Sequence, residues 1–551
     1  MNNVKLPVGI SDFHKLRQNE YYYVDKTNLI KELLESRIAE VTLITRPRRF
    51  GKTIGMSMLA YFFDIRKDSR KLFEDLKISR NIELCQKWMN QYPTLFISFK
   101  DVDGLNFQSA MKMLRNQISW ICNEHDYLSD SDKINENDKK LFLKLQDISE
   151  ENLSEDLIKI SVATIIRMMN VHYGKPVILL LDEYDVPLAK ASSNGYYKEM
   201  LDVMKTMMST SLKDNSHLQF AVVTGCLKIA KESIFTGTNN FISDTIISTH
   251  LNEYFGFTDQ EVKDILKDIG LQEHFKEIKE WYDGYRFEKA SSIYSPRSVV
   301  AAMTSGICDS YWNQTETFEA LRGYIDMNFD GLKDDVLSMM AGEMVPVNTG
   351  SFSNDMTTFH SEDDVLTLLI HLGYLGYDFS HKSVFIPNNE IRGEFVNAVS
   401  VSQWGEVSKA LKNSADLLNA IWRKDEEKVA VYMEQAHFET SHLQYNNENA
   451  LSYTVSLALY AARNFYQVYR EFPSGSGFAD IVYLPRKEFP DKPALIVELK
   501  WNKSAEGAIH QILKKQYFQN LEDYSGNMLL VGINYDLKTR KHECKILEFK
   551  K

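Results

Sequence analysis

The chain has 551 residues, 44% of them hydrophobic and 25% charged, enough apolar material for more than one buried core, so two or three domains are expected. A formal charge of −12 would repel a polyanion if spread evenly, so bulk electrostatics gives no support to nucleic-acid binding. The surplus acid lies in the first 430 residues, because residues 431–551 carry 15 Lys or Arg against 14 Asp or Glu.

The N-terminal stretch Met1 to Asp12 has no apolar signal region, and no run of eighteen apolar residues follows, so a soluble protein without membrane association is expected. Five cysteines, at positions 85, 122, 226, 308 and 544, form no CxxC pair, which argues against a disulfide framework or a thiolate zinc site and for a reducing cytoplasmic setting.

In chain order, Glu40 to Thr45 reads as a short buried strand, followed by the turn-prone Arg46-Pro47-Arg48-Arg49-Phe50-Gly51 and a helical pattern from Lys52 towards Phe63. Further apolar strands are predicted at 94–99, 177–181 and 218–224, separated by amphipathic helices over 106–125 and 153–172. This alternation predicts a parallel α/β sheet. From Thr258 to about Trp422 the pattern is largely helical, for example over 259–269 and 363–372. After Asn446 a second α/β domain is expected, with a helix over 448–469, strands at 479–484 and 494–499, a helix over 505–517 and a strand at 528–534.

ATP carries four negative charges, which backbone N–H groups at a helix N-terminus and one lysine can hold. Gly51-Lys52-Thr53 stands where such a helix begins: Gly51 permits close approach, Lys52 reaches the β and γ oxygens, and Thr53 takes a place on Mg²⁺. Arg46 occupies the position of the first glycine of the full GxxxxGK[ST] pattern. Gly-Lys-Thr alone arises by chance roughly once in ten chains of this length. It gains weight from Val177–Leu181, an apolar strand ending in Asp182-Glu183. Carboxylates there face the ligand crevice: Asp182 is placed for Mg²⁺ and Glu183 for the attacking water. The alternative for this acidic stretch is a solvated charged turn. Arg48 and Arg49 read equally well as contacts to phosphate or a neighbouring protomer and as salt-bridged surface.

These stretches, together with Leu6–Ile10, Tyr23–Thr27, Leu181–Asp185, Val223–Gly225, Lys231–Gly237, Trp281–Phe287 and Tyr294–Val299, resemble the AAA-ATPase-like family of P-loop proteins, related to STAND and archaeal-type ATPases. An arginine in place of the first loop glycine is usual in that family. The resemblance implies that residues 46–53 cradle the nucleotide, that Thr224 ends a sensor strand near the γ-phosphate, and that Tyr294–Val299 opens a helical lid. Leu227-Lys228-Ile229-Ala230 departs from relatives that carry Thr-Arg, so intrinsic turnover is expected to be slow unless Lys228 substitutes. Arginines acting in trans would need a homo-oligomer.

Cleaving a phosphodiester needs a divalent metal, an activated water and a nearby cation. Asp480 on one strand and Glu498-Leu499-Lys500 on the next supply two carboxylates and an amine, with Glu498 and Lys500 on one face by strand period. Glu-x-Lys alone is more often a polar surface strand. The segment from Asn446 to Phe549, with Gly475–Val482, Leu495–Lys500, Ala508–Ile512 and Tyr517, resembles the PD-(D/E)XK nuclease superfamily. The resemblance places Asp480, Glu498 and Lys500 at its metal and catalytic positions, Glu448 at the acidic position of its first helix, where a carboxylate favoured by the helix dipole is the alternative, and Gln511 and Tyr517 along the cleft or bracing Lys500, with packing alone an equal explanation for Tyr517.

The expected organisation is a P-loop ATPase domain over 1–250, a mostly helical lid and connecting region over 251–435, and a smaller restriction-endonuclease-like α/β domain over 436–551. The expected function is an ATP-hydrolysing protein coupled to a nuclease using Mg²⁺ or Mn²⁺, with DNA ahead of RNA as substrate. The alternative is a STAND-like signalling or scaffold ATPase whose last domain binds nucleic acid or a partner without cutting.

Overall fold

The computed structural model describes residues 4–35, 39–147, 154–228, 241–248, 250–287, 290–312, 318–327, 329, 331–350, 352, 359–401, 405–440, 451, 455–456, 458–474, 477–486, 489–518, 524 and 526–550. The chain divides into two compact units, Met1–Thr315 with Val345–Ile391, and Glu316–Met344 with Arg392–Lys551. Residues 251–435 therefore contribute to both.

The first unit is built on a five-stranded parallel sheet of β1 (Val41–Thr45), β2 (Thr94–Ser98), β3 (Val177–Asp182), β4 (Leu218–Gly225) and β5 (Phe241–Asp244), in the order β2-β3-β4-β1-β5. All six residues of β3 are buried, as its unbroken apolar run requires in a strand covered on both faces. The order sets β4 between β1 and β3, so Thr45, Thr224 and Asp182 stand at the carboxyl ends of adjacent strands. Helices Phe107–Glu124 and Glu155–Tyr173 form where amphipathic spacing predicts them, each started by a side-chain cap, Asn106 and Ser154.

The helical lid comprises Asp259–Ile269, Phe275–Tyr282 and Pro296–Ser305, packed through Val262, Leu266, Ile278, Tyr282 and Val299. Leu6, Tyr22 and Val24 pack against the same cluster. The helical middle region also carries strands that its pattern did not reveal: β6 (Phe257–Thr258), β7 (Tyr285–Phe287) and β8 (Ala290–Tyr294) make one three-stranded sheet, and β9 (Val345–Pro346), β10 (Gly376–Asp378) and β11 (Ser383–Phe385) another.

The second unit ends in a mixed sheet, β12 (Tyr466–Ser474), β13 (Gly477–Pro485), β14 (Ala494–Trp501), β15 (Met528–Asp536) and β16 (Lys541–Phe549), ordered as in the chain. β14 and β15 run parallel, joined through helix Ala505–Lys515, and the other neighbours are antiparallel. The helix expected over 448–469 is corrected at its end: Tyr460–Asn464 is a 3₁₀ turn and Tyr466 already pairs with Pro485. Tyr466-Gln467-Val468-Tyr469 is aromatic and β-branched, a composition that suits a pleated surface better than a helix. One face of the sheet buries Val497, Leu499 and Val531, and the other buries Val482, Ile496 and Ile512. Among the described residues no helix is long and apolar enough to cross a membrane.

Candidate active sites

Helix Lys52–Phe63 starts at Gly51, whose φ of +85° lies in the left-handed region open to glycine. Lys52 follows and is buried, its Nζ donating to the carbonyl oxygens of Arg46 and Pro47, both at 2.9 Å, and lying 3.5 Å from Cys226 Sγ. Asp182, at the end of β3, is fully buried and accepts from the Thr224 hydroxyl at 2.6 Å. Burial raises its pKa, while hydrogen bonds from Thr224 and Thr53 and the charge of Lys52 act the other way. Thr53, Lys52, Asp182 and Thr224 are thus brought together from three strand ends. Asp182 Oδ2 is buried without a hydrogen-bond partner, the condition of an oxygen suited to a cation.

Glu183 turns out of β3 at a φ of +55° and lines a cavity of 390 Å³ beside Lys52 and Thr53. Burial raises its pKa first and Asp182 adds to that, against the pull of Lys52. The cavity is completed by residues distant in sequence: Val8 and Ile10, Tyr22 and Lys26, Arg49 and Phe50, and Pro296, Arg297 and Val300. Its volume falls within the roughly 300–1,000 Å³ of small-molecule sites. Burial, and next the charge of Arg297, push the Arg49 guanidinium down to about 10. Sequence reading attached no cavity role to Val8, Ile10, Tyr22 or Arg297; the matching stretches around them were the available signal.

The turn after β3 is not a solvated loop. Tyr184 is fully buried and its hydroxyl donates to Leu227 O at 2.7 Å, while Asp185 Oδ2 accepts from the backbone N–H of Cys226 at 2.8 Å and of Leu227 at 2.9 Å. Gly225 makes this possible, since a Cβ there would stand 2.6 Å from Asp185 Oδ1.

The arginine-rich loop divides in role. Arg46 is fully buried, ion-paired to Asp244 at the end of β5 and donating to Asn252 Oδ1 at 3.1 Å and to the carbonyls of Thr45 at 2.8 Å and Asp244 at 3.0 Å. Its side chain is thus occupied in fastening the loop to the edge strand. Pro47 packs against Gly373, and Arg49 lies over the Trp312 ring at 5.1 Å. Phe50 packs edge-on to Tyr285 at 4.9 Å. Arg48 lies within electrostatic reach of Glu183. Arg46→Ala would strand Asp244 as a buried unpaired carboxylate, so the variant is expected to lose about 3–5 kcal/mol of stability in a chemical denaturation series.

In the second unit, the pairing of β13 with β14 ends at Ile481 opposite Val497, with Asp480 next along β13 and Glu498 next along β14. Asp480 Oδ2 accepts from Leu499 N at 2.7 Å. Glu498 and Lys500 are both buried, with Lys500 Nζ donating to Glu498 Oε1 at 2.8 Å. Gln511 Nε2 donates to the same oxygen and, at 3.1 Å, to the hydroxyl of the buried Tyr517. Burial, then the Asp480 charge, push the Glu498 carboxyl up to about 7, against Lys500 and Lys515. Glu498 Oε2 is buried without a hydrogen-bond partner. Two carboxylates close enough for one to raise the pKa of the other, with one such oxygen, fit a divalent cation, although no group of three or more His, Cys, Asp or Glu converges among the described residues. Glu448, residues 231–237 and Gly475-Ser476 lie outside the described residues.

The raised Glu498 pKa has a consequence for stability. The folded chain keeps a proton that the unfolded chain releases above the ordinary carboxylate range, so its contribution to stability falls as pH rises from about 4.5 to 7. In EDTA, Glu498→Gln is expected to gain in thermal midpoint over the parent at pH 8 and to differ little at pH 4.5.

Comparison with known proteins agrees with this division. Residues 7–235 match the AAA-ATPase-like family, described as a predicted AAA-ATPase, and residues 447–545 match the PD-(D/E)XK nuclease superfamily. A protein of Azotobacter chroococcum mcd 1, known as an uncharacterized protein in the vnfD 5′ region, is 28% identical over 326 residues, which cover 58% of this chain and 55% of that relative. The chain spans about half the length of the curated relative it matches. The chain thus joins an AAA-ATPase-like domain in its first half to a domain of the PD-(D/E)XK nuclease superfamily near its end.

Proposed function

We propose that the first domain binds and hydrolyses ATP with Mg²⁺, and that the last domain hydrolyses nucleic-acid phosphodiester bonds with Mg²⁺ or Mn²⁺. The functional segments proposed are 1–250, 251–435 and 436–551, in a cytoplasmic setting where ATP and nucleic acid coexist. One observation carries the reading: Asp480 accepts from the backbone of Leu499 on the adjacent strand and its charge acts on Glu498, Lys500 is bonded to Glu498, and Glu498 Oε2 is buried without a partner.

A divalent cation bound there would supply charge for the scissile phosphate oxygens and a water of lowered pKa. Asp480 and Glu498 would hold it. Gln511, steadied by Tyr517, fixes Glu498 Oε1 and so sets the orientation of the carboxylate. Lys500 would present its Nζ beside the reacting phosphate. In the first domain Thr53 and Asp182 would hold the Mg²⁺ of the nucleotide, Lys52 would neutralise its β and γ phosphates, and Glu183 would take the proton from the attacking water. Arg49 and Arg297 line the cavity with Lys52 and would stand near the phosphates, while Arg48 and Lys228 are outside the cavity wall, Arg48 within electrostatic reach of Glu183.

Incubating the purified chain with linear DNA, circular DNA and RNA, with Mg²⁺ or Mn²⁺ and with or without ATP, tests the reading. Cleavage that requires metal and is lost on Asp480→Asn supports it. Retained nucleic-acid binding without cleavage under any condition would favour a nucleotide switch with a binding module instead.

A further inference from the structure

Glu390 belongs to neither site described above, yet it is 1% exposed and fully hydrogen-bonded at one oxygen. Its Oε1 accepts from the backbone N–H of Tyr311 at 2.8 Å and of Trp312 at 2.9 Å. Burial pushes its carboxyl up to about 7, and hydrogen bonds from Ser298 and these two N–H groups, then the Arg49 charge, pull the other way. The turn it holds is the platform of the phosphate loop: Arg49 lies over the fully buried Trp312 ring and its Nη1 donates to Tyr311 O at 3.2 Å. Arg49 adopts a φ of +69°, a left-handed conformation that a non-glycine residue keeps only when its surroundings enforce it. Ser298 sits in the first turn of helix Pro296–Ser305, the turn that brings Pro296 and Arg297 to the cavity.

We propose that Glu390 is a positioning residue for nucleotide binding, which, by tying the Tyr311–Trp312 turn to helix Pro296–Ser305, holds Arg49 and Arg297 at the cavity to receive the phosphates of a nucleoside triphosphate. The inference rests on the ATP-binding reading above. Two guanidinium groups held on one cavity wall repel each other, and a polyanion between them relieves that repulsion. Without Glu390, the buried N–H of Trp312 and the partly buried N–H of Tyr311 lose their acceptor, and the turn under Arg49 relaxes to find another.

The test measures ATP affinity by calorimetry on the full chain with Mg²⁺, at low and moderate salt. Glu390→Ala is expected to raise Kd about tenfold and to flatten its salt dependence, because the arginines no longer meet the phosphates. Glu390→Gln, whose amide oxygen accepts from the same two N–H groups, is expected to stay within about threefold of the parent. Trp312→Leu, which removes the platform and leaves Glu390 in place, should weaken binding as Glu390→Ala does, and it decides the matter if Glu390→Ala fails to fold. A Kd rise without a change in salt dependence, a Gln variant as weak as the Ala variant, or parental affinity in both Glu390→Ala and Trp312→Leu would overturn the proposal. Lys52→Ala is the control: parental ATP affinity in that variant refutes the ATP-binding reading itself, and loss of binding there with parental affinity in the Glu390 variants refutes this inference alone.

Discussion

Glu498→Gln is expected to lower metal-dependent cleavage by about a thousandfold or more while the chain stays folded. The exchange preserves shape: the amide oxygen still accepts from Lys500 and Gln511, so β14 and helix Ala505–Lys515 keep their packing. What disappears is the charge of one of two interacting carboxylates, and with it the attraction for a divalent cation. Asp480→Asn should act alike, since its amide oxygen still accepts from Leu499 N. Loss of cleavage with an unchanged or raised thermal midpoint separates chemistry from folding. Preparations of both variants that cut at the parental rate would trace the activity to a contaminant and remove the assignment.

Lys52→Ala should abolish ATP binding, and Glu183→Gln should bind ATP but turn it over at least about a hundredfold more slowly. The split follows from where the two groups stand. Lys52 Nζ is lodged among the carbonyls of the phosphate loop, so its charge acts on bound nucleotide whether or not reaction occurs. Glu183 faces the cavity with a pKa raised by burial and by Asp182, which makes it a better proton acceptor than an exposed carboxylate. Equilibrium binding and steady-state phosphate release, measured on the same preparations, check both. Parental turnover in both variants would refute the roles.

Much of this is legible in the sequence. Strands β1 to β4 announce themselves because a parallel strand covered on both faces must be an apolar run, and Val177–Leu181 is one. The ends of those runs carried Lys52, Thr53, Asp182 and Glu183, and the period of two in β14 put Glu498 and Lys500 on one face. Strand β5 escaped because Phe241–Asp244 is a short edge strand with only its last residue buried, and β16 because its burial alternates irregularly. The strand Tyr466–Ser474 escaped because a helical pattern upstream ran into it without a breaker.

Local pattern determined which candidate residues stand together along the chain, the lysine of Gly-Lys-Thr, an acidic pair at a strand end, and an Asp with Glu-x-Lys, since periodicity and turn residues act over a few positions. Tertiary structure decided which buried charge meets which partner. It sent Arg46 to Asp244, set Asp185 beneath the loop after β4, drew Val8, Tyr22 and Arg297 to one cavity, and put Glu390 under the turn that carries Arg49. Desolvation makes each of those pairings obligatory, and the partners stand tens to hundreds of positions apart, where no local pattern reaches.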